Sequence, residues 1–207
     1  MADLHKSGET GHELRRIVRI NEEIKSVVST AFKINLMAMN AIFLAKRAGQ
    51  SALGFGVLSN ELRRFATDLQ RQMTLLREAT YGSVGTVTSL LKQSKINRVL
   101  KRTRLECKGK GKEIVEVCLR RREETTLAQS QNQMVVLNRR LSQMIVDTTQ
   151  LVELGSVLAR SAKIEAAYGG VFNASLMQVS SDFEKIIGDI QRSLENLTKH
   201  KTEDSRV

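Results

Sequence analysis

The 207-residue sequence contains no proline and no tryptophan, and aromatic residues make up only 4% of it. Proline is the residue that most firmly interrupts a helix. Without it, only glycine and polar turns end helices, so the composition predicts a few very long helices and argues against a sandwich or an α/β fold. Histidine is scarce: His5, His12 and His200 all lie near the termini. There is no nucleophile elbow and no phosphate-cradling glycine loop, and Gly54-Phe55-Gly56 is too short a glycine motif to hold a nucleotide. Cys107 and Cys118 lack metal-ligand spacing and neighbouring histidines. The sequence therefore predicts no enzyme, no catalytic residues, no cofactor, no metal and no small-molecule substrate. No apolar run approaches the roughly 18 to 20 residues that cross a bilayer, and the opening MADLHKSGETGHE is polar, without a secretory core. A cytoplasmic protein with reduced thiols is expected.

What is present is periodicity. Ile17, Ile20, Ile24, Val27, Ala31, Ile34, Ala38, Ala41, Ala45 and Ala48 recur at steps of three and four, a sustained heptad seam. The seam changes from Ile and Val to Ala toward Gly49, which lets helices approach closely there. Gly49 can take positive φ and stop the helix. After Gly54, Phe55 and Gly56, the chain returns with Val57, Leu58, Leu62, Phe65 and Leu69. The first helix is predicted from about Gly11 to Ala48, after a frayed start, and the second from about Phe55 to Lys108, continuous through Gly82 and Gly85. Lys108-Gly109-Lys110-Gly111-Lys112 is the clearest break. A third helix is predicted from Glu113 to Tyr168, then a turn at Gly169 and Gly170, then a fourth helix through Leu176, Val179, Phe183, Ile186, Ile190 and Leu197, with a loose polar tail from Thr198.

The stretch from Asn35 to Ala66, NLMAMNAIFLAKRAGQSALGFGVLSNELRRFA, resembles the signalling hairpin of bacterial methyl-accepting chemotaxis receptors. The matches are Asn35, Ala38, Asn40, Ala41, Ala45, Arg47, Ala48, Gly49, Gly54, Phe55, Val57, Glu61, Arg63 and Ala66, all in register without a gap, with Phe32 three residues ahead. Clear resemblance covers about one sixth of the chain. A worn copy follows at Ala159–Gly170, continuing through Phe183. It keeps the family's glutamate as Glu165, where the first copy has Leu44, and has Tyr168 where the first keeps Arg47.

Gly49, Gly109 and Gly169 are separated by sixty residues each. Each inner helix should then be on the order of 75 to 85 Å long, with both hairpin turns at one end and the lysine-rich turn at the other. The predicted fold is all-α: long antiparallel helical hairpins forming a coiled-coil four-helix bundle, a single-chain pseudo-dimer of the receptor tip. Residues 1–108 are the first hairpin, with its tip near 49–55. Residues 109–207 are the second, degenerate hairpin, with its tip near 169–175. A monomeric pseudo-dimer is favoured over a homodimer, because pairing within one chain avoids the entropy of association.

The formal net charge is +11. Between Lys92 and Arg122, twelve basic residues face three acidic ones. Arg102, Arg104, Lys108, Lys110, Lys112, Arg120, Arg121 and Arg122 line the distal turn. Such an end could meet an anionic membrane face, nucleic acid or an acidic protein, or simply be solvated. No aromatic side chains interleave it for base stacking.

The resemblance implies a tip that does no chemistry but holds the chemotaxis coupling protein and a histidine kinase. The coupling-protein and kinase contact would fall on Leu36, Met39, Asn40, Phe43, Phe55, Val57 and Leu58. Contacts with other chemoreceptors would fall on Phe32, Leu44, Arg47, Glu61, Arg63 and Glu165. With Leu44 replacing an acid and Glu184 standing where an arginine is expected, an asymmetric partner on the first hairpin fits better than symmetric packing. The acidic pairs Glu22-Glu23 and Glu123-Glu124 lack the small-residue surroundings of receptor methylation sites, so little methylation is expected. The alternative reading is a basic helical bundle that docks on nucleic acid or an anionic membrane surface.

Overall fold

The computed structural model describes residues 2–122 and 128–202. These residues are helical almost throughout, and no strand occurs among them. α1 spans Ala2–Ala48. A short 3-10 turn, Gly49–Ala52, leads into α2, Leu53–Glu106. α3 spans Lys110–Arg122 and α4 Ala128–Ala167. A second 3-10 turn, Gly170–Phe172, leads into α5, Asn173–Thr202. The all-α class follows directly from the absence of proline and the long heptad seams.

Several boundaries differ from the sequence reading. α1 begins about nine residues before Gly11, and α5 continues past Thr198 to Thr202, because neither segment contains a residue that forbids helix. Within the predicted third helix, α3 and α4 are described on either side of residues 123–127, and Glu123-Glu124 lie outside the described residues. α2 passes Gly82 and Gly85 unbroken. One 18-residue window within Arg15–Glu106 reaches a mean hydropathy of 1.5 with no more than two charged residues, so one helix is long and apolar enough to cross a membrane. This corrects the expectation that no run approaches that length. The seam and a second, exposed apolar stripe add together in the window, which is only 28% buried.

The helices divide into two compact units, Met1–Val18 with Glu78–Ser142, and Arg19–Arg77 with Gln143–Val207. Among the described residues of the first unit, the buried apolar side chains are Ile17, Val87, Leu119 and Leu141, and Thr80, Ser83 and Asn97 are buried too. Cross-links there are polar. Arg122 Nε donates to Asn97 Oδ1 at 3.0 Å, and Arg16 Nη2 to Asn138 Oδ1 at 3.3 Å.

The second unit has the deep core. α1 contributes Ile24, Val27, Ala31, Ile34, Ala38, Ala41 and Ala45. α2 contributes Phe55, Leu62, Phe65, Leu69, Met73 and Leu76. α4 contributes Ile145, Val152, Ala159, Ala162 and Ala166, and α5 contributes Leu176, Phe183, Ile187, Ile190, Leu194 and Leu197. The two sets share one register. Ile24 and Ile145, Ala38 and Ala159, Ala45 and Ala166, Phe55 and Leu176, Leu62 and Phe183, and Leu76 and Leu197 are each 121 positions apart. Buried hydroxyls repeat at the same spacing. Ser59 Oγ donates to the Phe55 carbonyl at 2.8 Å, and Ser180 Oγ to the Leu176 carbonyl at 2.9 Å. The buried positions of the two hairpins thus fall in one register, 121 residues apart.

The turns obey the same offset. Gly49 has φ +70° and Gly170 φ +57°, a left-handed conformation that side chains resist. Gly169, by contrast, has a φ of −72°. The pivot of the second turn is therefore Gly170, one residue later than equal sixty-residue spans suggest. Gly109, at the lysine-rich turn, is the third glycine with positive φ, at +60°.

Candidate functional site

The two hairpin turns lie side by side at one end of the second unit. A Cβ placed on Gly170 would lie 3.8 Å from Ser51 Oγ, and one placed on Gly54 would fall on the Glu165 carboxylate. The buried alanines explain this closeness: Ala38, Ala41, Ala45 and Ala52 from the first hairpin and Ala159, Ala162 and Ala166 from the second keep the core narrow. Gly56 lies equally close to α1, where its Cβ would stand 3.4 Å from that of Ala45. The second turn is held by Asn173 Nδ2, which donates to the Ala167 carbonyl at 2.8 Å.

On the outside of this apex, α1 carries an apolar stripe. Phe32, Leu36, Met39 and Phe43 recur at steps of four, three and four, which places them on one helix face. The stripe lies opposite the buried seam of Ala38, Ala41 and Ala45, and Phe43 is 63% exposed. On α2, Val57 is 62% exposed. Asn40 is exposed as well, while Leu58 and Leu44 are half-buried. Of the predicted coupling-surface residues, Phe55 alone departs. It is fully buried, because Phe55, Leu62, Leu69 and Leu76 recur at seven-residue steps and form the α2 seam.

Among the predicted receptor-contact residues, Phe32, Arg47 and Arg63 are exposed. Glu61 is half-buried and accepts from Arg64 Nη1 at 2.9 Å, not from Arg63. Glu165 is turned toward Gly54 on the first hairpin. Glu184 pairs with Lys163 across the second hairpin at 2.6 Å.

Sequence reasoning missed Leu53, 60% exposed and one turn before Val57. It also missed the apolar residues exposed on the second hairpin, Leu154, Val157, Ile164, Tyr168 and Val171. Their signal was in the sequence, as hydrophobic residues lying outside the heptad seam.

The basic turn lies in the first unit. Lys108, Lys110, Lys112, Arg120 and Arg121 are exposed there. Arg102 pairs with Glu106 at 3.2 Å, Arg104 lies 3.8 Å from Glu116, and Arg122 is bonded to Asn97. Cys107 and Cys118 are free thiols, and no group of His, Cys, Asp and Glu fit to hold a metal occurs among the described residues.

Comparison with known proteins supports a receptor-like signalling segment in the chain. Over 97 residues, 44% of the chain, it is 30% identical to YvaQ of Bacillus subtilis (strain 168), a protein named as a sensory transducer, of which the match covers 17%. Over 95 residues, 46% of the chain, it is 30% identical to a protein of Acetivibrio thermocellus also named as a sensory transducer, of which 15% is covered. The chain thus spans about one sixth of the length of the curated relatives it matches. No family model matches the chain. No solved structure matches it either. The chain carries a chemoreceptor-like signalling segment, divergent and partial, and its relatives are named as transducers, not enzymes.

Proposed function

We propose that this chain is a cytoplasmic, receptor-like signalling or scaffolding protein of a chemosensory system. It engages the chemotaxis coupling protein and histidine kinase through the apex of its first hairpin, and catalyses nothing itself. The observation that carries this reading is the stripe of Phe32, Leu36, Met39 and Phe43 on α1, with Leu53 and Val57 on α2. These apolar side chains face outward, while Ala38, Ala41 and Ala45 on the other side of α1 fill the core. Several large apolar side chains exposed on one helix face, with Asn40 and Arg47 exposed on the same helix, are the usual mark of a protein contact.

The 121-residue offset between the hairpins supports a pseudo-dimer, one chain supplying the four helices that two receptor chains would supply. In that reading residues 1–108 form one receptor-like hairpin and 109–207 the other, and the chain works as a monomer. The faces differ. At the positions 121 residues onward from Phe32, Met39, Arg47 and Val57 stand Glu153, Arg160, Tyr168 and Gln178, while Leu36 and Phe43 correspond to the exposed Val157 and Ile164, so the second face keeps only half of the apolar stripe. The partner therefore binds the first hairpin in preference to the second.

The test is a calorimetric titration of the full chain with the coupling protein of the same cell. Wild type should bind in the micromolar range. Val57→Glu, which places a charge on an exposed site without touching the core, should abolish the heat of binding while leaving the circular dichroism unchanged. A wild-type chain that does not bind would remove the functional meaning of the apex.

A further inference from the structure

The first unit carries a second exposed surface that the apex does not use. α3 turns Ile114 and Val117 outward, 70% and 63% exposed, on the side roughly opposite its buried residue, Leu119. At the end of α2, Val99 and Leu105 are 59% and 80% exposed. Aliphatic side chains so open to water gain free energy when something apolar covers them. Cations surround them: Lys108, Lys110 and Lys112 at the turn, and Arg120 and Arg121 in the last turn of α3, all exposed.

We propose that the outer face of α3, together with the Lys108–Lys112 turn, docks on the anionic surface of a phospholipid bilayer. Charge complementarity identifies the occupant. Twelve basic residues against three acidic ones between Lys92 and Arg122 attract acidic headgroups, and each cation near such a surface adds to the binding. The aliphatic residues choose between lipid and nucleic acid. A helix with an apolar strip flanked by Lys and Arg settles at the boundary of headgroups and acyl chains, where Ile114 and Val117 leave water. The stems of the flanking lysines and arginines cover apolar surface while their charges stay at the headgroups. Nucleic acid rewards the same cations but gives Ile114 and Val117 nothing to enter. No aromatic residue lies between Tyr81 and Tyr168 to stack on a base. This surface belongs to the first unit and shares no residue with the apex.

The experiment is co-sedimentation of the full chain with vesicles of phosphatidylcholine alone or mixed with phosphatidylglycerol, with a short DNA duplex titrated in parallel at the same salt. The chain should pellet with the anionic vesicles and not with the neutral ones. Lys110→Gln with Lys112→Gln should weaken vesicle binding by about tenfold or more. Ile114→Ser with Val117→Ser, which changes no charge, should also weaken vesicle binding by about tenfold and leave duplex binding unaltered. Because the chain has no tryptophan, Val117→Trp supplies a single reporter, whose emission should shift to the blue on anionic vesicles only. Failure to pellet with anionic vesicles overturns the proposal. So does vesicle binding unaffected by the serine pair, or duplex DNA binding tighter than the vesicles.

Discussion

The ring of Phe65 on α2 occupies the space that a side chain on Gly155 of α4 would need. A Cβ built there would lie 2.6 Å from Phe65 Cζ, and the ring itself is only 3% exposed. Two hairpins of one chain are locked at this point by a large residue set into a missing one. The position 121 residues earlier holds Ile34, fully buried, so the two hairpins do not use the same knob and hole. Gly155→Ala should destabilise the fold by about 1–3 kcal/mol, since the buried ring has nowhere to go. Thermal unfolding should show a lower Tm, partly restored by Phe65→Leu in the same chain. An unchanged Tm would mean that α2 and α4 do not pack as described.

Gly54 and Glu165 make a gentler version of the same test. The atoms that a Cβ on Gly54 would meet are the far end of a half-buried carboxylate, which can swing away. Gly54→Ala should then be close to neutral, its clash offset by the better helix propensity of alanine. In a Glu165→Ala background it should stabilise by up to about 1 kcal/mol. The difference, read as a double-mutant cycle in urea, reports directly that the two apices touch.

The turn glycines Gly49 and Gly170 and the uncrowded helix glycine Gly82 should respond with opposite sign. Gly49 and Gly170 hold φ of +70° and +57°, so alanine at either should cost about 1–2 kcal/mol. Gly82 sits inside α2, and a methyl group added there would meet nothing within 4 Å, so Gly82→Ala should stabilise by about 0.5–1 kcal/mol. Denaturant midpoints of the three variants decide the matter. A stabilising Gly49→Ala would contradict the turn geometry.

The ion pair of Lys163 and Glu184 joins α4 to α5 at 2.6 Å, with side chains 40% and 33% exposed. Partial exposure limits its worth. Lys163→Ala should cost less than about 1 kcal/mol at low salt, and the loss should shrink as salt is added. A salt-independent loss would point to packing by the lysine stem instead.

Much of the fold was legible because its causes are local. The absence of proline and the three-and-four spacing from Ile17 to Ala45 specify long helices and their buried faces without reference to anything distant. Gly49 was equally legible, since only its conformation is at stake. Phe55 was harder. The family resemblance draws it toward the partner surface, but its seven-residue spacing to Leu62 and Leu69 places it in the core. The pivot at Gly170 depends on how the hairpins register against each other, which Gly169-Gly170 alone does not reveal. Leu53 is hard to find because one apolar residue beside a glycine turn has no period to betray it. The resemblance assigns the outward stripe on α1 to a partner. Its exposure, which depends on what α2, α4 and α5 cover, is visible only in the fold.

The most direct measurement is a paired titration of coupling protein into Val57→Glu and Gln178→Glu, substitutions at the same position of the two hairpins. Both positions are exposed, so neither should disturb the core. Val57→Glu should abolish binding, and Gln178→Glu should leave it within about twofold of wild type, because an exposed change away from the contact carries little energy. Equal losses from both would contradict a working face confined to the first hairpin.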